Sequence, residues 1–223
     1  MIYILLDDAP TNILTIKGET FKYLIKVRRH SIGDEIQFRS RDNLSLLYKY
    51  ELLEIDSRSV SLKRISMQEN VVESTKNLHI AWCIIDNKSI EKVLPSLSEI
   101  GVKKISFIQC ERSQKSFKID LKRFHRILEA SMQQCGRSTY IEFDSYKNIR
   151  EFLTKFPDTK IFDFTDKTLE NSSNIERVLI GCEGGFSPEE RELFKEENVF
   201  RLDTDMVLRS ESAVMAVASK ILL

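Results

Sequence analysis

The spacing of hydrophobic positions changes about one third of the way along the chain. Over about the first 65 residues, short segments alternate apolar and polar positions between turn residues, and a period of two predicts β-strands. These segments are IYILL, NILTI, DEIQFRS, LLYKYELLEI and SVSLKRI. Among them, TFKYLIKVRR places Phe21, Leu24 and Ile25 at helical spacing and predicts one short helix. The first part of the chain is therefore predicted to be a small β-rich domain.

From residue 78 onward, apolar strands alternate with amphipathic helices. LHIAWCII and KKISFIQC predict strands, SIEKVLPSLSEIG predicts a helix, and DLKRFHRILEASMQQCG predicts a helix that Gly136 ends. The alternation continues through NIREFLTKF, TKIFDF, RVLIGC, SPEERELFKEEN, VFRLD and SESAVMAVASKILL. Parallel strands need crossover connections, so this order predicts an α/β domain with a parallel sheet and helices on both faces. The polar stretch SMQENVVESTKN separates the two patterns and marks the predicted domain boundary.

Composition narrows the choice of ligands and partners. The 223 residues are 42% hydrophobic, which is enough for a core, and 34 basic side chains balance 34 acidic ones. With no net charge, any surface that binds nucleic acid must be local. The cysteines form no C-x-x-C pair and the histidines show no ligand spacing, so we expect a reduced interior without a metal ion. Neither a signal peptide nor a membrane span is recognisable, and we expect a cytoplasmic protein.

The segment IGCEGGFSPEERELF places three of the seven glycines within five positions, with Glu183 between them. RVLIGC ends as a strand, and the next helix is predicted to begin with Ser187 as N-cap, Pro188 at its first position and Glu190 completing a capping box. The loop therefore follows the carboxyl end of a strand, where open α/β sheets bind ligands. It matches no phosphate-binding motif, and its acids favour a neutral or cationic ligand. The alternative interpretation is that the glycines only form a tight turn between strand and helix and bind no ligand.

A second polar stretch lies directly before the last helix. In LDTDMVLRSESAVMAVASKILL, Arg209 and Glu211 precede a mostly apolar run that predicts a core or dimer-interface helix. A helix in the core or in a dimer interface does not by itself require an arginine and a carboxylate at its start. The two side chains are therefore candidates for chemistry.

Six segments resemble, in order along the chain, motifs of the bacterial 16S ribosomal RNA uridine-N3 methyltransferases. IGCEGGFSPEE is similar to I-G-P-E-G-G-F-S-x-x-E, and VLRSESA to I-L-R-T-E-T-A. VRRHSIGDEI, LSEIGV, ERSQ and EASMQQCGR are similar to V-L-R-x-x-x-G-D, T-E-L-G-V, E-R-S-V and E-A-x-E-Q-x-x-R. The resemblance spans about residues 20 to 213, and ordered co-occurrence is stronger than any single motif. Cys182 replaces a proline of the family pattern, and LDTD lacks a glycine found there.

The resemblance implies a two-domain fold and a cofactor. Residues 1–68 would form a PUA-like RNA-binding β-barrel, and residues 74–223 an α/β SPOUT domain with a C-terminal trefoil knot. The protein would be a homodimer with each cofactor site at the subunit interface, and the cofactor would be S-adenosylmethionine, with no metal. The cofactor-binding residues implied in this way are Phe164, Leu179, Ile180, Gly181, Glu183, Gly184, Gly185, Leu202, Val207, Leu208 and Arg209.

Methylation of uridine at N3 requires loss of a weakly acidic imide proton, and the resulting charge spreads onto O2 and O4. Arg209 is the candidate for stabilising that charge, because a guanidinium stays protonated. A structural ion pair with Glu211 or Glu183 is the alternative role for Arg209. Either carboxylate could accept the proton if burial raised its pKa, or could merely orient the loop.

Local charge points to an RNA partner, which the resemblance identifies as the 16S rRNA of the 30S subunit. Residues 103–126 contain eight basic side chains, whereas residues 183–205 contain eight acids and three bases. The candidate RNA-binding residues are Lys26, Arg28, Arg29, Arg112, Lys115 and Arg137. Two alternatives remain open: a related methyltransferase acting on tRNA or a ribose 2′-hydroxyl, and a non-catalytic RNA-binding or ribosome-assembly protein.

Overall fold

The computed structural model describes residues 2–7, 10–114, 118–169 and 174–223. The chain divides into two compact units. The first comprises the chain up to Glu73 together with Met132–Thr139, and the second comprises Ser74–Ser131 and Tyr140–Leu223. A short segment from the middle of the sequence thus belongs to the first unit.

The first unit is built on a five-stranded, mostly antiparallel sheet in the order β1-β3-β4-β5-β2. Its strands are β1 (Ile4–Leu6), β2 (Ile13–Lys17), β3 (Glu35–Ser40), β4 (Asn43–Ile55) and β5 (Ser59–Glu69). Only the β1–β3 pair is parallel. The predicted helix begins as α1 (Gly18–Lys22) and continues as a π-helical turn over Tyr23–Val27. The prediction of a β-rich first part is confirmed, and β5 runs further than SVSLKRI.

Alternate residues of these strands form the core of the first unit. Phe38 and Tyr50 meet edge to face with ring centroids 5.4 Å apart, and Phe21 and Leu24 of the helical segment pack on the same cluster. Residues 132–139 join this unit through hydrogen bonds, among them the Tyr3 hydroxyl donating to the Arg137 carbonyl at 2.8 Å.

The second unit contains a six-stranded sheet in the order β11-β9-β10-β6-β7-β8, in which all pairs are parallel. The strands are β6 (His79–Cys83), β7 (Lys104–Ile108), β8 (Glu142–Tyr146), β9 (Lys160–Phe162), β10 (Arg177–Ile180) and β11 (Val199–Phe200). The predicted parallel sheet is confirmed. Strand β8 was not predicted, because it is an edge strand with no fully buried residue and too little apolar character to stand out.

Beyond α1, the described residues form the α-helices α2 (Asn87–Glu99), α3 (Leu121–Cys135), α4 (Ile149–Lys155), α5 (Pro188–Arg191) and α6 (Ser210–Leu222), together with a 3-10 turn over Glu196–Asn198. Gly136, with φ +93°, follows α3 as predicted. The predicted helix SPEERELFKEEN is wrong in length: α5 ends after four residues, and the chain turns so that Phe194 packs edge to face on Phe186 at 4.9 Å. Helix α6 packs against α2 and β10. Within the described residues, no helix is long and apolar enough to cross a membrane.

Candidate functional site

A cavity of about 230 Å³ lies in the second unit, where β9, β10 and β11 end. Three segments that follow these strands form most of its wall, together with the start of α6. The lining residues include Phe162, Asp163, Phe164, Ile180, Gly181, Cys182, Glu183, Gly184, Gly185, Phe186, Arg191, Arg201, Leu202, Thr204, Met206, Val207, Leu208, Ser210 and Ala213. The carboxyl ends of parallel strands are where open α/β sheets bind ligands.

The glycine loop, residues 181–186, is held as a tight turn ahead of α5. The Gly185 amide donates to the Cys182 carbonyl at 2.9 Å, and Gly185 has φ +64°, a conformation that favours glycine. The predicted capping box is confirmed, since Ser187 Oγ accepts from the Glu190 amide and Glu190 Oε2 accepts from the Ser187 amide. Burial raises the pKa of the Glu190 carboxyl, although its hydrogen bonds oppose the shift. The loop is therefore fixed at its helical end.

The loop after β7 braces the glycine loop from the side. Arg112 Nη1 donates to the Gly184 carbonyl at 2.7 Å, and the Glu111 amide donates to Glu190 Oε1 at 2.8 Å. A Cβ atom on Gly184 would lie 3.2 Å from Arg112 Cβ, so the absence of a side chain permits this close approach. Arg112, a candidate RNA-binding residue, thus also lines the cavity.

Ser210 joins the glycine loop to the first turn of α6. Its hydroxyl donates to the Gly181 carbonyl at 2.6 Å and accepts from Trp82 Nε1 at 2.8 Å. Ser210 is a position where the family pattern has threonine, and either residue supplies the hydroxyl. No function was predicted for Ser210, because no local pattern shows which residues 29 and 128 positions away it contacts.

An ion pair joins the loop after β9 to α5. Arg191 Nε and Nη2 donate to Asp163 Oδ2 and Oδ1 at 2.7 and 3.0 Å, a bidentate arrangement. The hydrogen bonds to Asp163 raise the pKa of Arg191. Neither residue was predicted as part of the site, because they are 28 positions apart in the sequence and no local pattern indicates that they pair.

The loop after β11 is organised around an arginine. Arg201 Nη1 donates to the Leu202 and Thr204 carbonyls at 3.2 and 3.3 Å, and the Met206 amide donates to Thr204 Oγ1 at 3.2 Å. These contacts hold a loop that lacks the glycine of the family pattern. Its tip presents Met206 and Val207, whose side chains are 76% and 77% exposed although both line the cavity.

Most of the implied cofactor-binding residues line this cavity. They are Phe164, Ile180, Gly181, Glu183, Gly184, Gly185, Leu202, Val207 and Leu208. Leu179 and Arg209 do not line it. Leu179 is fully buried inside β10, where successive side chains point to opposite faces and only Ile180 reaches the cavity. Arg209 is exposed and lies immediately before α6.

The three candidate catalytic residues lie on two segments that are joined by the hydrogen bond between Ser210 and Gly181. Glu183 is an exposed residue of the glycine loop, Glu211 is half-buried in the first turn of α6, and Arg209 and Glu211 flank Ser210, which contacts Gly181. In the part of the chain that the structure describes, Arg209 forms no ion pair, so the alternative pairing with either carboxylate is not formed. The guanidinium is thus left for another partner.

The candidate RNA-binding residues fall in different environments. Lys26, Arg28 and Arg29 are exposed at the end of the π-helical turn, and Arg29 has φ 60°, unusual for a residue with a side chain. Arg137 is only 5% exposed and its Nε donates to Thr139 Oγ1 at 3.2 Å, which does not suit the phosphate contact expected of it. Lys115 lies outside the described residues. Among the described side chains, no group of three or more His, Cys, Asp or Glu could hold a metal ion.

Comparisons with solved structures support the fold. A methyltransferase of Legionella pneumophila in complex with S-adenosylmethionine aligns with a TM-score of 0.75 and 23% identity over 99% of this chain and 96% of that one. A ribosomal RNA small subunit methyltransferase E of Neisseria gonorrhoeae bound to the same compound aligns with a TM-score of 0.71 and 19% identity over 98% and 96%.

Comparisons of sequence identify first the class of protein to which the chain belongs and then its family. The model described as RNA methyltransferase domain matches residues 72–222, which contain the parallel sheet and the cavity. Two proteins from Helicobacter pylori strains, both called ribosomal RNA small subunit methyltransferase E, are 39% identical to this chain. One alignment covers 98% of this chain and 97% of the relative, and the other covers 95% of each. The chain belongs to the ribosomal RNA small subunit methyltransferase E family.

Proposed function

We propose that the protein transfers the methyl group of S-adenosylmethionine to N3 of a uridine in the 16S rRNA of the small ribosomal subunit. The observation that carries this proposal is the cavity, because its wall unites the two most specific motifs, IGCEGGFSPEE and VLRSESA, with the segment after β9. Two relatives that align with nearly the whole of this chain are named ribosomal RNA small subunit methyltransferase E.

The chemistry of the wall fits this cofactor. Phe164, Ile180, Val207 and Leu208 offer apolar surface for an adenine, while the glycine loop exposes backbone amides and carbonyls. Glu183 places a carboxylate in the wall, which suits a cation and not a phosphate. When bound, S-adenosylmethionine supplies an electrophilic methyl group on a sulfonium. The chain's own residues would hold the donor and the uridine in register, which accounts for much of the acceleration.

Arg209 is proposed to stabilise negative charge on the uridine carbonyl oxygens as the N3 proton leaves. It is exposed and has no ion-pair partner in the described part of the chain, so its planar donors are free to meet an RNA base. Glu183 or Glu211 is proposed to accept the proton, directly or through water. Glu183 lies in the cavity wall and Glu211 in the first turn of α6, so both roles stay open.

The finer architecture is proposed on the same basis. The second unit would contain a trefoil knot, and the sheet of the first unit would be a PUA-like barrel that contacts RNA through Lys26, Arg28 and Arg29.

A homodimer would cover the cavity. Three apolar side chains of the cavity wall are more than 70% exposed, and such patches mark association surfaces: Phe164, Met206 and Val207. The enzyme would act in the cytoplasm, where it meets ribosomal subunits.

The test uses purified protein, methyl-labelled S-adenosylmethionine and 30S subunits from a strain that lacks the activity. We expect label in 16S rRNA on one uridine, at N3 by mass mapping. Arg209→Ala should keep cofactor binding by calorimetry and lose on the order of 100-fold or more in methyl transfer, as when other charge-stabilising groups are removed. Arg58→Ala, a change at an exposed arginine of the first unit, is the control and should keep full transfer.

Two outcomes would contradict the proposed reaction, and a third would change only the role of Arg209. Label on a ribose oxygen of 16S rRNA, or label only in total tRNA offered in a parallel assay, would favour a related methyltransferase. Failure to bind the cofactor would favour the non-catalytic RNA-binding protein. Unchanged turnover of Arg209→Ala would remove that residue from the mechanism while leaving the reaction in place.

A further inference from the structure

Three buried thiols lie close together at the carboxyl ends of adjacent strands, and one of them, Cys182, belongs to the glycine loop. Cys83 is the last residue of β6, Cys110 follows β7 and Cys182 follows β10. Because β6 lies between β10 and β7 in the sheet, the carboxyl ends of three adjacent strands bring these cysteines to one place. Their exposed fractions are 0%, 2% and 6%, and all three are free thiols.

Two of the thiols are in contact. The Sγ atoms of Cys110 and Cys182 lie 3.6 Å apart, and a disulfide would bring them to about 2.05 Å. Cys110 Sγ also lies 2.9 Å from Ser113 Oγ, and Cys182 Sγ lies 3.6 Å from the Gly185 carbonyl. The proposed methyl transfer uses no thiol, and the family pattern has proline at position 182. The proposed methyl transfer therefore gives no reason for this pair of cysteines.

We propose that Cys110 and Cys182 form a reversible disulfide on exposure to peroxide, and that this bond restrains the glycine loop. A thiolate of the pair attacks one peroxide oxygen, the O–O bond breaks, and a sulfenic acid and one water result. The second thiol then attacks the sulfenic sulfur, the S–S bond forms, and the oxygen leaves as a second water. Two thiols and one hydrogen peroxide thus give one disulfide and two waters, whichever sulfur reacts first. A dithiol reductant reverses the bond by exchange.

The pair combines access with reactivity. Cys182 lines the cavity and its Sγ contacts that of Cys110, so a small oxidant that enters the cavity lies next to the pair. Hydrogen bonding with Cys182 and Ser113 lowers the pKa of Cys110 below that of an ordinary thiol, whereas the neighbouring Cys110 and burial raise the pKa of Cys182. The lowered pKa of Cys110 favours its thiolate, and the Cys182 sulfur 3.6 Å away is in position to form the disulfide.

The bond would act on the cavity because it joins two loops already in contact. Arg112 and Glu111 of the loop after β7 hydrogen-bond to Gly184 and Glu190. Shortening the sulfur separation by about 1.5 Å pulls the Cys182–Gly185 turn toward Cys110. Residues 181–185 line the cavity, so we expect weaker cofactor binding in the oxidised protein, a consequence that rests on the proposed function.

The first measurement needs no cofactor. The full-length protein is treated with a few equivalents of hydrogen peroxide, free thiols are blocked, and peptides are mapped without reduction. We expect a Cys110–Cys182 cross-link that dithiothreitol removes. Hydrogen exchange of peptides covering residues 181–187 should slow on oxidation in the wild type and in Cys135→Ser, a control at the exposed cysteine, but not in Cys110→Ser.

The second measurement is calorimetry with S-adenosylmethionine. We expect peroxide to weaken binding by about tenfold or more in the wild type and in Cys135→Ser, and to leave the affinity of Cys110→Ser unaltered by the treatment. A Cys83–Cys110 link, a sulfinic acid without any cross-link, or oxidation confined to Cys135 would each overturn the proposal. Failure of the reduced wild type to bind S-adenosylmethionine would instead count against the proposed function, and the exchange data would still decide this one.

Discussion

At the scale of one residue, burial of His79 determines its protonation in the second unit. Its Nε2 lies 2.7 Å from Ser106 Oγ, and its ring packs edge to face on Phe152 and Phe156 at 5.6 and 5.5 Å. Burial, followed by the charges of Lys104 and Arg177, lowers the pKa of His79 from 6.5 to about 4. The folded protein therefore favours the neutral imidazole more than the unfolded chain does.

This lowered pKa predicts that acid destabilises the second unit through His79. Between pH 6.5 and about 4 the unfolded chain binds the proton and the folded one does not, so the free energy of unfolding falls as the pH falls. The loss is about 2 kcal/mol after allowance for the partial exposure of the ring. Urea unfolding followed by the fluorescence of Trp82, the single tryptophan and fully buried, measures it in this unit.

His79→Gln should flatten the pH dependence relative to the wild type, because glutamine cannot take up the proton. The matched control is His125→Gln, a change at an exposed histidine, which should leave the wild-type slope intact. Equal slopes for wild type and His79→Gln would show that His79 is not the group responsible.

At the scale of elements, the glycine loop depends on a backbone conformation that only one of its residues adopts. Gly185 has φ +64°, and Gly18 at the start of α1 has φ +65°, so the two glycines carry the same backbone requirement in different units. At Gly18 a Cβ would meet nothing within 4 Å, and at Gly185 it would come to 3.8 Å from Arg191 Nη2. An alanine at either site would therefore be strained by the positive φ, and it would not clash with neighbouring atoms at either site.

We expect Gly185→Ala and Gly18→Ala each to cost about 1 kcal/mol of unfolding free energy, since an L-residue disfavours positive φ. Only Gly185→Ala should also weaken S-adenosylmethionine binding, because the strain is relieved by movement of the turn that lines the cavity. Denaturant unfolding and calorimetry on the two variants give both quantities. Equal effects on cofactor affinity would mean that the loop conformation has no special part in binding.

At the scale of the whole molecule, a chain with no net charge must meet a polyanion through local surfaces. The exposed Lys26, Arg28 and Arg29 form one such group at the end of the π-helical turn. Phosphate contacts release counterions, so each contact contributes about 0.7 to the slope of log affinity against log salt for a single strand. The slope therefore counts the contacts that a group of basic residues makes.

Replacing Lys26, Arg28 and Arg29 together by glutamine should weaken binding to 16S rRNA fragments and reduce the salt slope by about 2. The control replaces three other exposed basic residues of the same unit, Lys17, Arg58 and Lys63, with the same change in charge. Dissociation constants at several salt concentrations check both. If the two triple variants lose affinity equally, net charge and not this surface governs RNA binding.

Local signals in the sequence were enough for most elements, and the exceptions have physical causes. Ser187, Pro188 and Glu190 lie next to one another in the chain and form the predicted capping box. Strand β8 lacks a buried face and gave no apolar period, so it was missed. Helix α5 was predicted too long, because packing of Phe194 on Phe186 ends it early, and a contact of that kind leaves no mark in helical periodicity.

The sequence by itself determined most of the strands and helices and the change of period between the two parts of the chain, because these depend on residues close together in the chain. The segments that form the cavity were expected from their resemblance to motifs of the family. Only the tertiary structure decided which side chains meet there. The Asp163–Arg191 pair, the Ser210 bridge and the Cys110–Cys182 contact join residues 28 to 128 positions apart. Such contacts follow from the order of strands in the sheet, which places the ends of distant strands side by side and which no local pattern encodes.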